Sequence, residues 1–267
     1  MSDTRPSREE LARLRRRLDR RGLAIISQVA ELRLMSGAQI AAKHFPPESH
    51  DSSAAAARAA RRCLASLTAK RLLVRAGRQV GGVRAGSSGY IYALGPVGQR
   101  LIEMNGPRRR FREPSATFAD HTLAVSQLVV DLTLAARAGR FDILAVEAEP
   151  ACWRAFGGIS GRQVLRPDLF VSLGVEEYER RYFVEVDRGN EHLPALVRKC
   201  RTYEAYYRSG SEQAKHEVFP RVCWLMPSSE RAERLQQVVD GAKWLTEGLF
   251  LVLPNDQAIE GLTGGGR

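Results

Sequence analysis

The chain has 267 residues, of which 44% are hydrophobic and 27% charged, and a net charge of +11; this composition is typical of a globular protein and argues against a disordered chain. Its apolar runs are shorter than the roughly 18 residues of a membrane-spanning helix, and its first residues lack an apolar segment, so we expect neither a membrane span nor a signal peptide. The widely spaced cysteines (Cys63, Cys152, Cys200 and Cys223) show no CxxC pattern, which favours buried free thiols in a cytoplasmic protein.

Positive charge is concentrated in the first part of the chain. Residues 1–113 carry 23 Lys and Arg against 9 Asp and Glu, a net charge of +14, whereas residues 114–267 carry 18 against 21, a net charge of −3. A solvated basic surface would explain a mild excess. An imbalance divided in this way favours a polyanionic partner, and we expect the N-terminal part to bind double-stranded DNA.

The N-terminal part is predicted to be helical. An arginine-rich helix over residues 8–20 leads into an apolar helical run over 23–32. The break at Met35-Ser-Gly separates that run from a short helix, which Pro46-Pro47 ends. An alanine-rich helix follows over 53–70. Helices with a tight break between two of them are the elements of a helix-turn-helix.

The helix over 53–70 has two opposed faces at about 100° per residue. One face is apolar, and the other carries Arg58, Arg61 and Arg62. Alone, this basic face would be explained as the solvated side of an amphipathic helix. Because the preceding helices suit a helix-turn-helix, we expect the three arginines to contact DNA in the major groove.

A hairpin pattern follows this helix. Strand-like segments over 71–75 and 89–94 are joined by a stretch rich in glycine and arginine. Helices followed by a basic two-stranded wing resemble a winged helix-turn-helix, which predicts a DNA-binding domain over residues 1–104. The wing arginines expected to contact phosphates or a minor groove are Arg75, Arg78 and Arg84.

The predicted domain boundary lies at residues 105–116. This stretch is rich in turn-forming and basic residues, so it either extends the DNA contact or is a solvated linker. A second domain is predicted over 117–255, and a flexible tail over 256–267. The predicted elements of the second domain are a helix over 117–137, a strand over 141–149, a loop over 151–163, strands over 166–173 and 181–188, a helix over 191–208, a strand over 220–226, a helix over 228–245 and a strand over 249–253.

This order of elements indicates an α/β core with a mixed sheet, in a chain that is α+β overall. Asp168 lies near one end of the strand over 166–173, and Glu185 and Asp187 lie near the end of the next. Residues two apart on a strand point to the same face, so Glu185 and Asp187 share a side and strand pairing would bring Asp168 beside them.

Clustered carboxylates repel one another unless a cation, a basic side chain or a proton intervenes. Lys199 flanks the apolar stripe of the following helix, from where its ammonium group can reach back to the sheet edge. The alternative is that the carboxylates are structural residues of a solvated sheet edge. The roles of His121 and Glu147 are left open.

The second domain resembles the PD-(D/E)xK nuclease superfamily in the order of its elements. A helix and a strand are followed by a strand with Pro-Asp, a strand with Glu-x-acid and a further helix. Pro167-Asp168 matches PD, but Glu185-Val186-Asp187 matches E-x-K in its first residue only. The helix carrying Lys199-xxx-Tyr203 is similar to the Q-xxx-Y pattern of some members, which suggests that the lysine has moved there. The resemblance implies a restriction-endonuclease-like domain whose catalytic residues are Asp168, Glu185, Asp187 and Lys199.

The same resemblance implies a metal site if the domain is active. Asp168 and Glu185, with the carbonyl group of Val186, would bind Mg²⁺ or Mn²⁺, because oxygen ligands suit a hard cation.

As a whole, residues 20–255 resemble the replication-relaxation family of plasmid and mobile-element proteins. The resemblance rests on the winged N-terminal part, the helix opening with His121, the segments RPDLFV and FVEVDRG, and the helix with Lys199 and Tyr203. It implies DNA binding during plasmid replication.

Three functions follow as hypotheses. The first is a DNA-binding protein of plasmid maintenance with a nuclease-like domain. The second is an active metal-dependent DNA endonuclease targeted by its winged helix. The third is a transcriptional regulator whose C-terminal domain senses a ligand or forms a homodimer.

Overall fold

The computed structural model describes residues 6–78, 89–102, 115–158 and 161–264. The chain divides into two compact units, Met1–Val130 and Asp131–Arg267. The predicted α/β fold class is confirmed, because helices and strands are interleaved along the chain and the larger sheet is mixed. In the described part of the chain, no helix is long and apolar enough to cross a membrane.

The first unit contains helices packed with a small sheet. The strands pair antiparallel in the order β1-β3-β2, so the predicted hairpin is confirmed and gains a third strand. Its elements are α1 (Arg8–Arg17), α2 (Arg20–Leu32), β1 (Leu34–Ser36), α3 (Gly37–His44), α4 (Ser53–Ala69), β2 (Leu73–Arg78), β3 (Tyr90–Leu94) and α5 (Pro96–Ile102).

Side-chain caps fix where these helices begin. Ser7 and Ser36 each form a capping box, with Glu10 and Gln39 respectively, which satisfies backbone N–H groups that have no partner inside the helix. Ser52 caps α4 in the same way through its hydroxyl group. The break predicted at Met35-Ser-Gly is therefore a short strand that ends in a helix cap.

The second unit is built on a mixed sheet. Within the described residues its strand order is β10-β9-β8-β7-β4, with β8, β9 and β10 parallel and β4, β7 and β8 antiparallel. The elements after α5 are α6 (Ala116–Arg137), β4 (Asp142–Ala148), β5 (Arg154–Gly158), β6 (Gly161–Leu165), β7 (Leu169–Val175), β8 (Tyr178–Val186), α7 (Leu193–Arg208), α8 (Gln213–His216), β9 (Arg221–Met226), α9 (Ser229–Gly241), β10 (Phe250–Pro254) and α10 (Ala258–Thr263).

One face of this sheet packs against α7 and α9. The shared core contains Phe183 and Trp224 from the sheet, Cys200 and Tyr203 from α7, and Leu235 from α9. Because side chains alternate along a strand, Glu185 points to the same face as Phe183. The sheet face that carries the predicted carboxylates is therefore the one that α7 and α9 cover.

Helix α6 begins in the first unit and ends in the second. The Ser126 hydroxyl group donates to the Leu34 carbonyl oxygen at 2.6 Å, and the Gln39 amide donates to the Leu123 carbonyl oxygen at 2.8 Å. The division between the units thus lies inside α6, later than the predicted boundary at 105–116, of which residues 105–114 are outside the described part.

Two segments that were predicted to lack secondary structure contain strands or a helix. Residues 154–158 and 161–165, most of which fall in the predicted loop over 151–163, form the antiparallel strands β5 and β6. Strands this short and rich in glycine show no clear periodicity. The predicted tail contains α10, where the Leu262 side chain is fully buried. A Cβ atom added at Gly261 would lie 2.2 Å from a methyl group of Leu253, so α10 lies directly against β10.

We predict that Leu262→Ala lowers the free energy of unfolding by about 2–5 kcal/mol, because it removes buried methyl groups and leaves a cavity. Urea unfolding followed by tryptophan fluorescence measures this change, since Trp153, Trp224 and Trp244 all lie in the second unit. Gln257→Ala, at an exposed position beside α10, is the control. Equal stability of the two variants would show that the C-terminal residues are a tail after all.

Candidate functional site

Asp168 is held at the point where β7 begins and β8 ends. Its backbone N–H donates to the Val184 carbonyl oxygen at 3.2 Å, and the Val186 N–H donates to its Oδ2 at 2.8 Å. Its side chain is buried, with 7% of the residue exposed. The pairing of β7 with β8 therefore brings Asp168 beside Glu185, as the sequence predicts.

Glu185 is held by two side chains of α7. The Lys199 ammonium group donates to Oε2, and the Tyr203 hydroxyl group donates to Oε1. Lys199 and Tyr203 are four residues apart, which places them one above the other on the same face of a helix. Both oxygens of a carboxylate that is only 1% exposed thus have partners, and Lys199 reaches the sheet edge from the position that the sequence suggests.

Burial and charge shift the pKa values of this cluster. The pKa of Glu185 is raised to about 8, because burial outweighs the opposing effect of Lys199 and the nearby Asp168 adds to the increase. Burial alone would lower the pKa of Lys199, but Glu185 and Asp168 together raise it. Lys199 is therefore a cation, and it offsets the negative charge that the two carboxyl groups share.

Asp187 has a different partner from Glu185. Arg231, in the first turn of α9, donates through Nε to Oδ2 and through a terminal nitrogen to Oδ1 at 3.2 Å. A terminal nitrogen of Arg231 also donates to the carbonyl oxygen of Glu191. The arginine fork binds the carboxylate through two bonds and ties down the loop between β8 and α7.

The predicted metal ligands are Asp168, Glu185 and the Val186 carbonyl group, and Asp187 is paired with Arg231 instead. Among the described residues, no three His, Cys, Asp or Glu side chains are grouped so that they could bind a metal ion together. Asp168 and Glu185 remain as a pair of oxygen donors, and Val186 adds a backbone carbonyl group. This donor set suits a hard cation such as Mg²⁺, although Glu185 already binds Lys199 and Tyr203.

The predicted DNA-binding arginines lie in the first unit. Arg58, Arg61 and Arg62 are exposed on α4, on the side opposite the buried residues of that helix, which are Ala56, Ala60, Leu64 and Leu67. Arg75 on β2 is exposed, and its guanidinium carbon lies 4.0 Å from the centroid of the Tyr90 ring. Arg78 ends β2, and Arg84 is outside the described residues.

The structure also places Glu147 and His121, whose roles the sequence leaves open. Glu147 on β4 binds Arg154 of β5 at 2.9 Å. His121 lies in the part of α6 that belongs to the first unit.

Arg231 is a site residue that the sequence analysis missed. It lies 44 residues after its partner Asp187, so no local spacing connects them. The order of elements could have identified it, because a helix that follows a parallel strand begins at the carboxyl end of the sheet, where ligands usually bind. Arg231 lies at that position in the helix after β9.

A protein-family model described as Replication-relaxation matches residues 26–222. This match covers the small sheet of the first unit, the carboxylate pair and α7. Comparison with curated proteins finds no match, and comparison with solved structures finds none either.

We predict that Arg231→Ala lowers the free energy of unfolding of the second unit by about 3 kcal/mol, because it leaves a buried carboxylate without its cation. Arg234→Ala is a matched control on the same helix, since Arg234 pairs with Glu230 and both side chains are largely exposed (69% and 74%). Such a surface pair contributes roughly 0–1 kcal/mol. Urea unfolding followed by tryptophan fluorescence compares them, and equal losses would contradict the assignment of the Asp187–Arg231 pair as buried and structural.

Proposed function

The chain belongs to the replication-relaxation family, and we propose that it binds double-stranded DNA during the replication of a plasmid or mobile element. Membership of the family suggests the role in replication. The proposal adds the mode of binding, a winged helix-turn-helix formed by the first unit. The observation that supports it most is the order of the first unit's elements together with the arginines of α4.

The order α2-β1-α3-α4-β2-β3 is that of a winged helix-turn-helix. The three-stranded sheet β1-β3-β2 supports the wing, and α3 and α4 are the two helices of the helix-turn-helix. In this arrangement the second of these helices enters the major groove. Helix α4 carries three exposed arginines and no acidic residue, which suits a helix that faces phosphates and base edges.

The wing supplies a further cation. Arg75 lies over the Tyr90 ring at 4.0 Å, so its side chain is held against the sheet while its N–H groups remain at the ring's edge. Stacking of this kind lowers the entropy that an arginine loses when it binds a phosphate. We assign Arg75, with Arg78 and Arg84, to the phosphate contacts of the wing.

A second candidate function is metal-dependent cleavage of DNA by the second unit. It is favoured by one observation, the contact of Lys199 with Glu185 beside Asp168. The lysine that the E-x-K pattern lacks at Asp187 is thus supplied from α7. Asp168, Glu185 and the Val186 carbonyl group would hold the ion.

When bound, Mg²⁺ or Mn²⁺ would polarise the scissile phosphate and lower the pKa of a water molecule. In the candidate cleavage function, each of these residues has a separate role. The Val186 N–H orients Asp168, Tyr203 orients Glu185, and Lys199 supplies a positive charge at the edge of the pair. Asp187 has a structural task in this candidate, because both of its oxygens bind Arg231.

We predict that replacing Arg58, Arg61 and Arg62 with Ala weakens binding to a DNA duplex by about 10- to 100-fold at low salt. The slope of log K against log[salt] should fall by about two to three, since each lost phosphate contact releases about one fewer counterion. Fluorescence anisotropy with a labelled duplex over a salt series measures both quantities.

The matched control replaces Arg137, Arg201 and Arg234 with Ala, which removes the same charge from exposed positions of the second unit. At physiological salt this control should bind within about twofold of the wild type, because charges more than about 8 Å from the DNA are then largely screened. Unchanged binding by the α4 variant would remove the winged-helix assignment.

The cleavage candidate predicts that Mn²⁺ or Mg²⁺ converts supercoiled plasmid to the nicked or linear form, and that EDTA, Glu185→Ala and Lys199→Met each abolish this conversion. Gel electrophoresis of the plasmid separates the forms. Arg234→Ala, which leaves the cluster intact, should cut like the wild type. A mobility shift with no cutting by any of the proteins would reject this candidate and leave DNA binding as the function.

A further inference from the structure

An exposed arginine lies immediately before the Pro-Asp motif and stacks on a tryptophan. The Arg166 guanidinium carbon is 4.9 Å from the centroid of the Trp153 ring. Arg166 is exposed, whereas the two residues after it are buried. Neither Trp153 nor Arg166 belongs to the predicted site, to the wing or to the recognition helix.

The chain fixes the position of this stack. Cys152 is fully buried, and its thiol group donates to the Pro167 carbonyl oxygen at 3.0 Å. Trp153 follows Cys152, and Arg166 precedes Pro167. This hydrogen bond and the pairing of Arg154 with Leu165 together bring the ring and the guanidinium group side by side. The ring is also partly buried against the core of the second unit. Arg166 is therefore held near Asp168 by its contact with the partly buried Trp153 ring.

The arginine has no acidic partner among the residues that the structure describes. Other arginines of the second unit do have one, such as Arg154 with Glu147 at 2.9 Å and Arg181 with Glu179 at 3.1 Å. A guanidinium group stacked on a ring keeps its five N–H donors in a planar fork, and an unpaired fork suits a phosphate.

A second exposed arginine lies at the same end of the sheet. Antiparallel pairing matches Leu169 with Val184, so the residues before β7 and the residues after β8 are neighbours. Arg166 precedes β7 and Arg188 follows β8, and both are exposed. Arg188 likewise forms no ion pair with a described residue. The adjacent Asp187 is paired with Arg231, and the exposed Glu191 follows in the same loop.

The carboxylates of this edge do not cancel these cations. Glu185 is offset by Lys199, and Asp187 by Arg231. Asp168 is the remaining acid of the cluster, and it is buried and held by the Val186 N–H. The exposed surface around the cluster therefore carries two arginines, Arg166 and Arg188, against the one exposed acid of the loop after β8, Glu191.

We propose that Arg166, stacked on Trp153, binds a phosphate of the DNA backbone with the help of Arg188, so that the second unit contacts DNA at the sheet edge next to Asp168 and Glu185. This inference rests on the proposed DNA-binding function and adds a second contact surface to it. The proposed contact is with the phosphate backbone, so we expect it to be independent of the DNA sequence.

The chain offers a closely matched control. On α7, the Arg201 guanidinium carbon lies 5.0 Å from the centroid of the Trp244 ring. Arg201 is also exposed and also forms no ion pair with a described residue. Arg166→Ala and Arg201→Ala therefore remove the same charge from the same kind of stack. Of the two arginines, only Arg166 lies at the sheet edge next to Asp168 and Glu185.

The test measures binding of the full-length variants to a labelled duplex by fluorescence anisotropy over a salt series. We expect Arg166→Ala to weaken binding about fivefold at low salt and to reduce the slope of log K against log[salt] by about one. Arg201→Ala should bind like the wild type. Arg166→Lys should fall between wild type and Arg166→Ala, since the ammonium group keeps the charge but loses the fork.

Wild-type binding by Arg166→Ala, or an equal loss in Arg201→Ala, would overturn the proposal. The α4 triple variant, measured beside them, separates this failure from failure of the proposed function. If the α4 variant weakens binding and Arg166→Ala does not, only the second surface is rejected. Tryptophan fluorescence of each variant shows whether the fold is intact, and Arg166→Lys retains a cation over the ring if Arg166→Ala unfolds.

Discussion

The second unit depends on one requirement, a charged partner for the carboxyl group of Glu185, which lies near the end of the central strand β8. A carboxylate buried to this degree is unfavourable unless it is protonated, paired or hydrogen-bonded. Helix α7 meets this requirement with Lys199 and Tyr203, and the same helix buries Leu196, Cys200 and Tyr206 against the sheet. The register of α7 is thus fixed twice, by apolar packing and by the partners of Glu185, and the geometry of the candidate site follows from the packing of the fold.

The same requirement is met independently at Asp187. Arg231 comes from α9 rather than α7, so each of the two helices that cover this face of the sheet contributes one cation to one acid. Because Glu185 and Asp187 each have a cation of their own, the repulsion among the three carboxylates is reduced, and the charge of Asp168 still raises the pKa of Glu185. Arg166 and Arg188, which form no ion pair with a described residue, are the exposed cations beside these pairs, and they are the groups that we propose to bind a polyanion.

Much of this arrangement could be predicted from local patterns, and the remainder depends on contacts between distant residues. Alternation along β8 placed Glu185 and Asp187 on one face, and the four-residue spacing of Lys199 and Tyr203 placed both on one side of α7. No local pattern connects Asp187 with Arg231 or Trp153 with Arg166, because such partners are chosen by the pairing of strands. Short elements were missed for a related reason: β1 has three residues, and β5 and β6 have five each, too few to show a period.

The net charge of the second part of the chain hides how its charges are arranged. Residues 114–267 are slightly acidic in total, which by itself suggests no affinity for DNA. The hairpin of β7 and β8 separates its charges, however, with the exposed Glu176 and Glu177 at its turn and Arg166 and Arg188 at its open end. Strand β7 has seven residues, so these ends are about 20 Å apart at about 3.3 Å per residue, roughly twice the distance over which physiological salt screens charge. A phosphate at the open end therefore interacts with the arginines and scarcely with the acidic turn, and a domain of negative net charge can still present a basic edge to DNA.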